Sequence, residues 1–147
     1  MHIAIAADQG GYVLKQPLID FLEGEGHTVT DLGIHEMKSI DYPDIAAQLA
    51  RAVARGEPER GIIICGTGIG VSMAANKVAG VRAALCTDSY MARMARQHND
   101  AQVLCLGGRV IGPGLAREIV QAFIATDALG RRHARRVNKI DALDRIE

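Results

Sequence analysis

The chain has 147 residues, 48% of them hydrophobic, with 17 lysines and arginines balanced by 17 aspartates and glutamates. That length suits one domain over residues 1–147 whose core needs no disulfide or metal staple, and zero net charge gives no global pull toward nucleic acid. No run approaches the ~18 apolar residues that cross a bilayer, no secretion signal is expected, and Cys65, Cys86 and Cys105 form no CxxC pair, so free thiols in a reducing, cytoplasmic setting are expected.

The first apolar run, Ile3–Ala7, reads as a buried strand. Leu14, Leu18, Phe21 and Leu22 follow at helical spacing, and Thr28–Leu32 reads as a second, edge-like strand. Ile45, Leu49 and Val53 mark the next helix, and Gly61–Cys65 a third strand that leads into a helix from about Val71. Val81–Cys86 and Gln102–Leu106 complete five strands, with Met91, Met94 and Ala95 marking a helix between them. Leu115, Ile119, Ala122 and Phe123 form a further helix, with Pro113 in its first turn, where a missing N–H costs nothing. Val137, Ile140 and Leu143, with Asp144, place a last helix after a basic cluster of Arg131, Arg132, His133, Arg135 and Arg136. Strands alternating with helices predict an α/β fold: three αβα layers, Rossmann-like, around a five-stranded parallel sheet, with an extra C-terminal helix. In such sheets ligands gather at the carboxyl ends of the strands.

Two strand ends carry unusual residues. After the third strand, Gly66-Thr67-Gly68-Ile69-Gly70 precedes a helix; alternating glycines let successive N–H groups converge in front of a helix N-terminus, which makes an anion cradle. It lacks the lysine of a Walker loop, and its third glycine falls one position early for a dinucleotide fingerprint. Cys65 stands directly before this cradle, where a helix N-terminus favours a thiolate and suits it to act as base or nucleophile; its other reading is a small core hydrophobe. Cys86 and Cys105 have no such setting and read as core. Asp8 ends the first strand, either facing the same crevice or capping a turn. His98 and Asn99 close the helix before the fifth strand, where a histidine either shuttles protons near neutral pH or caps the helix. Arg132 and Arg136, four apart, share a helix face, suited to clamp a phosphate or simply solvated. The five histidines form no pair at metal-ligand spacing, and no metal or cofactor is expected.

From Cys65 through Gly70, continuing to Ala74-Ala75-Asn76-Lys77, the chain resembles the ribose-5-phosphate isomerase B family, which includes the galactose-6-phosphate isomerase subunits. The likeness runs nearly end to end through Ala7-Asp8 with Gly11, Asp41-Tyr42-Pro43, Arg96-Gln97-His98-Asn99-Asp100, Gly107-Gly108-Arg109-Val110, and Arg132-His133 with Arg136-Val137. It implies an aldose–ketose isomerase acting on ribose 5-phosphate and ribulose 5-phosphate through a cis-enediolate. Cys65 would then move the proton between C1 and C2, with Thr67 helping to position or relay protons. Gly66, Gly68, Ile69 and Gly70 would lend N–H groups to the enediolate oxygens. His98, helped by Asp8, would open the furanose ring; Asn99 would contact hydroxyls, and Arg109, Arg132 and Arg136 would bind chiefly the phosphate. The resemblance further implies a homodimer or tetramer with active sites shared between chains. Gln9 departs from the histidine usual after that aspartate, and it cannot carry a positive charge. A four-carbon erythrulose-type or six-carbon allose- or galactose-type phosphate is the alternative substrate, and a sugar-phosphate-binding subunit without turnover the alternative role.

Overall fold

A computed structural model describes residues 1–144 of the chain; the last three residues of the expected 1–147 domain lie outside the described residues. In chain order the elements are β1 (His2–Ala7), α1 (Tyr12–Gly24), β2 (Thr28–Asp31), α2 (Tyr42–Ala54), β3 (Arg60–Cys65), α3 (Ile69–Asn76), β4 (Ala83–Leu85), α4 (Ser89–Asn99), β5 (Val103–Gly107), α5 (Pro113–Ala125) and α6 (Arg132–Ala142). All strands are parallel, in the order β2-β1-β3-β5-β4. The chain winds one way from β1 to β2 and the other way from β3 onward, so the ends of β1 and β3 flank a switch point, where an open sheet leaves its crevice.

Alternation along the inner strands divides the core. Ile3, Ile5, Ala7, Ile62 and Ile64 pack with residues of α1, α4 and α5, while Ala4, Ala6, Ile63 and Cys65 pack with α2 and α3. Strands buried on both faces explain the near-continuous apolar runs of β1, β3 and β5. The three-layer αβα reading therefore holds.

Three boundaries differ from expectation by two residues or more, for physical reasons. β4 has three residues, not six; Asn76 at the end of α3 pairs with it instead of another strand, its Oδ1 accepting the Ala83 N–H (2.8 Å) and its Nδ2 donating to the Ala83 carbonyl (2.9 Å). This amide occupies the outer edge of the sheet. α3 begins at Ile69 rather than Val71, because Gly68, at φ +80°, takes the left-handed turn that starts it. α6 begins at Arg132, so the basic cluster forms its first turns rather than preceding it; His133 and Val137 face inward, whereas Ile140 and Leu143 are exposed. No helix among the described residues is long and apolar enough to cross a membrane.

Candidate active site

At the carboxyl rim of the sheet, three loops interlock through backbone. β1 and β3 pair Ala7 with Ile64, and the Asp8 N–H continues the ladder onto the Ile64 carbonyl (3.1 Å). One step further along that register sets Asp8 beside Cys65 on the same face of the sheet. The Asp8 carboxylate is buried and its Oδ1 accepts the Gly10 N–H at 2.8 Å. The Gly108 and Arg109 amides donate to the carbonyls of Cys65 (2.7 Å) and Gly66 (3.0 Å), which ties the loop after β5 to the one after β3. Such closeness demands glycine: a Cβ on Gly10 would stand 2.5 Å from the Gly66 nitrogen, and one on Gly108 2.4 Å from the Gly10 carbonyl oxygen.

Cys65 is buried at the end of β3. Its Sγ accepts the Gly68 N–H at 3.1 Å, so one amide of the cradle is aimed at the sulfur itself. The Ile69 amide is likewise engaged, donating to Thr67 Oγ1 at 3.2 Å. Of the expected ring of loop donors, these two therefore serve the cradle's own atoms, while helix geometry leaves the Gly70 and Val71 amides, in the first turn of α3, without intrahelical acceptors. The Arg109 guanidinium lies over Gly66, 3.3 Å from where a Cβ would be. Gln9 is half-buried and its Oε1 accepts the Ile40 N–H at 3.1 Å, so its carboxamide oxygen ties down the loop that leads into α2.

His98, Asn99, Arg132 and Arg136 stand elsewhere. α4 runs back against the strands and ends where β5 begins, beside Gln102, whose N–H meets the Arg82 carbonyl. Cys65 is level with Gly107, five residues further along β5, or ~16 Å up the strand. The two sets of candidates thus occupy opposite ends of one sheet. At the lower end, Arg82 donates to the carbonyls of Asn99 (3.0 Å) and Asp100 (2.9 Å) and pairs with Asp141 of α6 (2.7 Å). Arg96 ties Asp100 (2.8 Å) to the carbonyls of Ala101 and Thr126. Arg132 and Arg136 are exposed on α6.

Two residues near these clusters were given no individual role from sequence. Tyr42 opens α2 with its ring against Gly70, its Oη 2.7 Å from a Cβ placed there; the Asp41-Tyr42-Pro43 block was its only signal. His133 stacks on His98, and no periodicity marks a ring pair between distant helices. The other two thiols are disfavoured as thiolates: burial first, then Asp88, pushes Cys86 up to about 12, and burial pushes Cys105 up as well. Among the described residues no group of three or more His, Cys, Asp or Glu is placed to hold a metal ion.

A family model described as Ribose/Galactose Isomerase matches residues 3–140. The chain is 46% identical over 142 residues to ribose-5-phosphate isomerase B of Escherichia coli (97% of this chain, 95% of that protein). It is 47% identical over 141 residues to the D-erythrulose-4-phosphate isomerase of Pectobacterium atrosepticum (95% and 93%). Among solved structures, ribose-5-phosphate isomerase B of Clostridium thermocellum superposes with a TM-score of 0.96 at 53% identity (98% of this chain, 97% of that one). The Mycoplasma genitalium enzyme with bound ribulose 5-phosphate gives 0.94 at 41% identity (97% and 95%). Sheet order, glycine-locked rim and end-to-end likeness agree: the chain belongs to the ribose/galactose isomerase family.

Proposed function

We infer that the chain is an aldose–ketose isomerase interconverting ribose 5-phosphate and ribulose 5-phosphate, with Cys65 as the base. The observation that carries the cysteine role is the Gly68 N–H donated to Sγ inside a glycine cradle, beside a buried carboxylate. As a thiolate, Cys65 takes the proton from C2 of the open aldose and the C1 carbonyl oxygen becomes the enediolate O1; the O2 hydroxyl proton passes to O1, and the thiol, its proton exchangeable with solvent, protonates C1 as O2 becomes the ketone oxygen. Donors fixed beforehand are suited to that developing charge, each worth about 3–4 kcal/mol. Thr67 and the amides of Gly66, Gly68, Ile69 and Gly70 flank the reacting carbons, Asp8 and Gln9 bind at the end of β1, and Arg109 takes the phosphate.

His98 opens the furanose and Asn99 holds hydroxyls, while Arg132 and Arg136 clamp the phosphate. Because these stand a strand's length from Cys65 in their own chain, each cleft is built from the upper rim of one copy and the lower rim of another. Ile69 and Met73, one turn apart on α3 beside the cradle, expose apolar side chains suited to such a contact. We therefore read the protein as a homodimer or higher oligomer of single-domain chains, working in the cytoplasm, where three free thiols persist.

One specific observation favours a second substrate. Gln9 is tied to Ile40 and uncharged, and a relative 47% identical bears the name of a four-carbon isomerase. Assays of wild type and Cys65→Ala with ribose 5-phosphate and erythrulose 4-phosphate test both points. Cys65→Ala is expected to lose about 10²–10⁴-fold in kcat with substrate binding kept; full turnover would reject the thiolate, and a higher kcat/KM for the four-carbon sugar would overturn the ribose assignment.

A further inference from the structure

The rings of His98 and His133 lie face to face, centroids 4.3 Å apart and planes 7° from parallel. His98 closes α4 and is half-buried, while His133, in the first turn of α6, is buried. Around the pair are Gln97, Asp100, Ala128, Gly130 and Val137. No hydrogen bond of the His98 ring nitrogens is found among the described residues, and the His133 ring covers one face of its imidazole.

We propose that His133 is a positioning residue for ring opening, a flat plate that holds the His98 imidazole in the orientation from which its edge reaches the substrate. The proposal rests on the reading of His98 as the ring-opening acid–base group. Parallel rings at this spacing leave the edge of His98, with both nitrogens, free toward the cleft, while the face is fixed. Orientation matters because a displacement of ~1 Å at a reacting group can cost ~10²-fold. A second cation would make a poor plate. Burial, with His98, Arg132 and Arg136 adding to it, holds His133 below the ordinary histidine range, which favours its neutral imidazole.

Substrate chemistry separates this role from a general structural one. Ribose 5-phosphate closes to a furanose through its free O4 and needs opening before C2 can be deprotonated. Ribulose 5-phosphate would need O5, which is phosphorylated, and so stays open. Deuterium wash-in at C1 of ribulose 5-phosphate therefore reads the Cys65 half of the reaction without the ring-opening half. The variants are His98→Asn, His133→Ala and His133→Phe, the last restoring a flat ring that cannot titrate. His98→Asn and His133→Ala are expected to lose about tenfold or more in turnover of ribose 5-phosphate, wash-in staying within about twofold, and His133→Phe to recover most of the loss. Unchanged turnover in His133→Ala, equal loss of turnover and wash-in, or no recovery in His133→Phe would each overturn the proposal. Should His98→Asn itself lose both readouts equally, the ring-opening reading fails; a selective His98→Asn beside a silent His133→Ala fails the plate alone.

Discussion

The upper and lower rims of the sheet are held by different kinds of bond. Above, the loops after β1, β3 and β5 are locked by main-chain contacts, with Gly10 against Gly66 and Gly108 against Gly10, and Asp8 is the buried charge among them. Below, side chains hold the shape: Arg82 and Arg96 gather four carbonyls and Asp100 around the end of α4, and Asp141 and Asp144 fasten α6 to the start of β4. Backbone locking suits donors that must meet a developing negative charge without reorganising. Side-chain locking fixes the end of α4 and the start of α6 through planar guanidinium forks that each meet several acceptors at once.

Putting the two rims on different chains separates their roles most sharply. Cys65→Ala homo-oligomers are expected to be nearly inactive on ribose 5-phosphate, and His98→Asn homo-oligomers to keep at most about a tenth of wild-type turnover. Mixed by co-refolding, half the dimers would be hybrids, and each hybrid would own one site with both native groups, so about a quarter of wild-type activity should return. Activity that stays at the level of the separate variants would mean that both rims serve a cleft within one chain, against their ~16 Å separation along the strand.

How much of this was legible beforehand follows the same division. The upper rim could be read from local sequence, because a glycine cradle after an apolar strand is a contiguous pattern and its chemistry follows from turn and helix geometry. Asp8 and Cys65 could be matched because parallel strands with like burial end together. The lower rim could not be assembled this way. His98 and His133 are 35 positions apart, on helices whose packing depends on Arg82, a residue in the short segment leading to β4 that no periodicity flags. The start of α6 was misplaced for a related reason. Four arginines in six residues resemble a solvated run, and the two inward positions, His133 and Val137, are too few to show a face. Gln9 was recognised as a departure, but its bond to Ile40 depends on a loop whose path has no repeating pattern.

A smaller effect sharpens the contrast at the lower rim. The Arg82 side chain is only 13% exposed and joins α4, α6 and the start of β4 through charge-assisted bonds. Arg82→Ala is expected to lower stability by about 1.5–3 kcal/mol in denaturant melts, the range for hydrogen bonds to a charged group. Arg82→Lys should recover only part of this, since an ammonium lacks the planar fork that meets two carbonyls and a carboxylate together. Because the upper rim makes none of these contacts, deuterium wash-in at saturating ribulose 5-phosphate, where a weakened phosphate clamp no longer limits binding, should persist in Arg82→Lys while turnover of ribose 5-phosphate falls. Full stability in Arg82→Ala would show that α6 is docked by Val137 and the ring stack rather than by the arginine.

The smallest effect is a pH dependence written into the ring stack, and its sign follows from linkage. Burial first, then His98, Arg132 and Arg136, lowers the pKa of folded His133 below its ordinary value of 6.5. Above that value both folded and unfolded chains carry a neutral imidazole and the residue contributes no pH slope. As pH falls through 6.5 the unfolded chain takes up the proton first, so stability declines until the folded pKa is reached. Midpoints of unfolding measured at stepped pH between about 7 and 5 should therefore fall less steeply for His133→Phe than for wild type. Equal slopes would mean that His133 takes up its proton in place, with His98 and two arginines beside it, and that the plate is not held neutral by its surroundings.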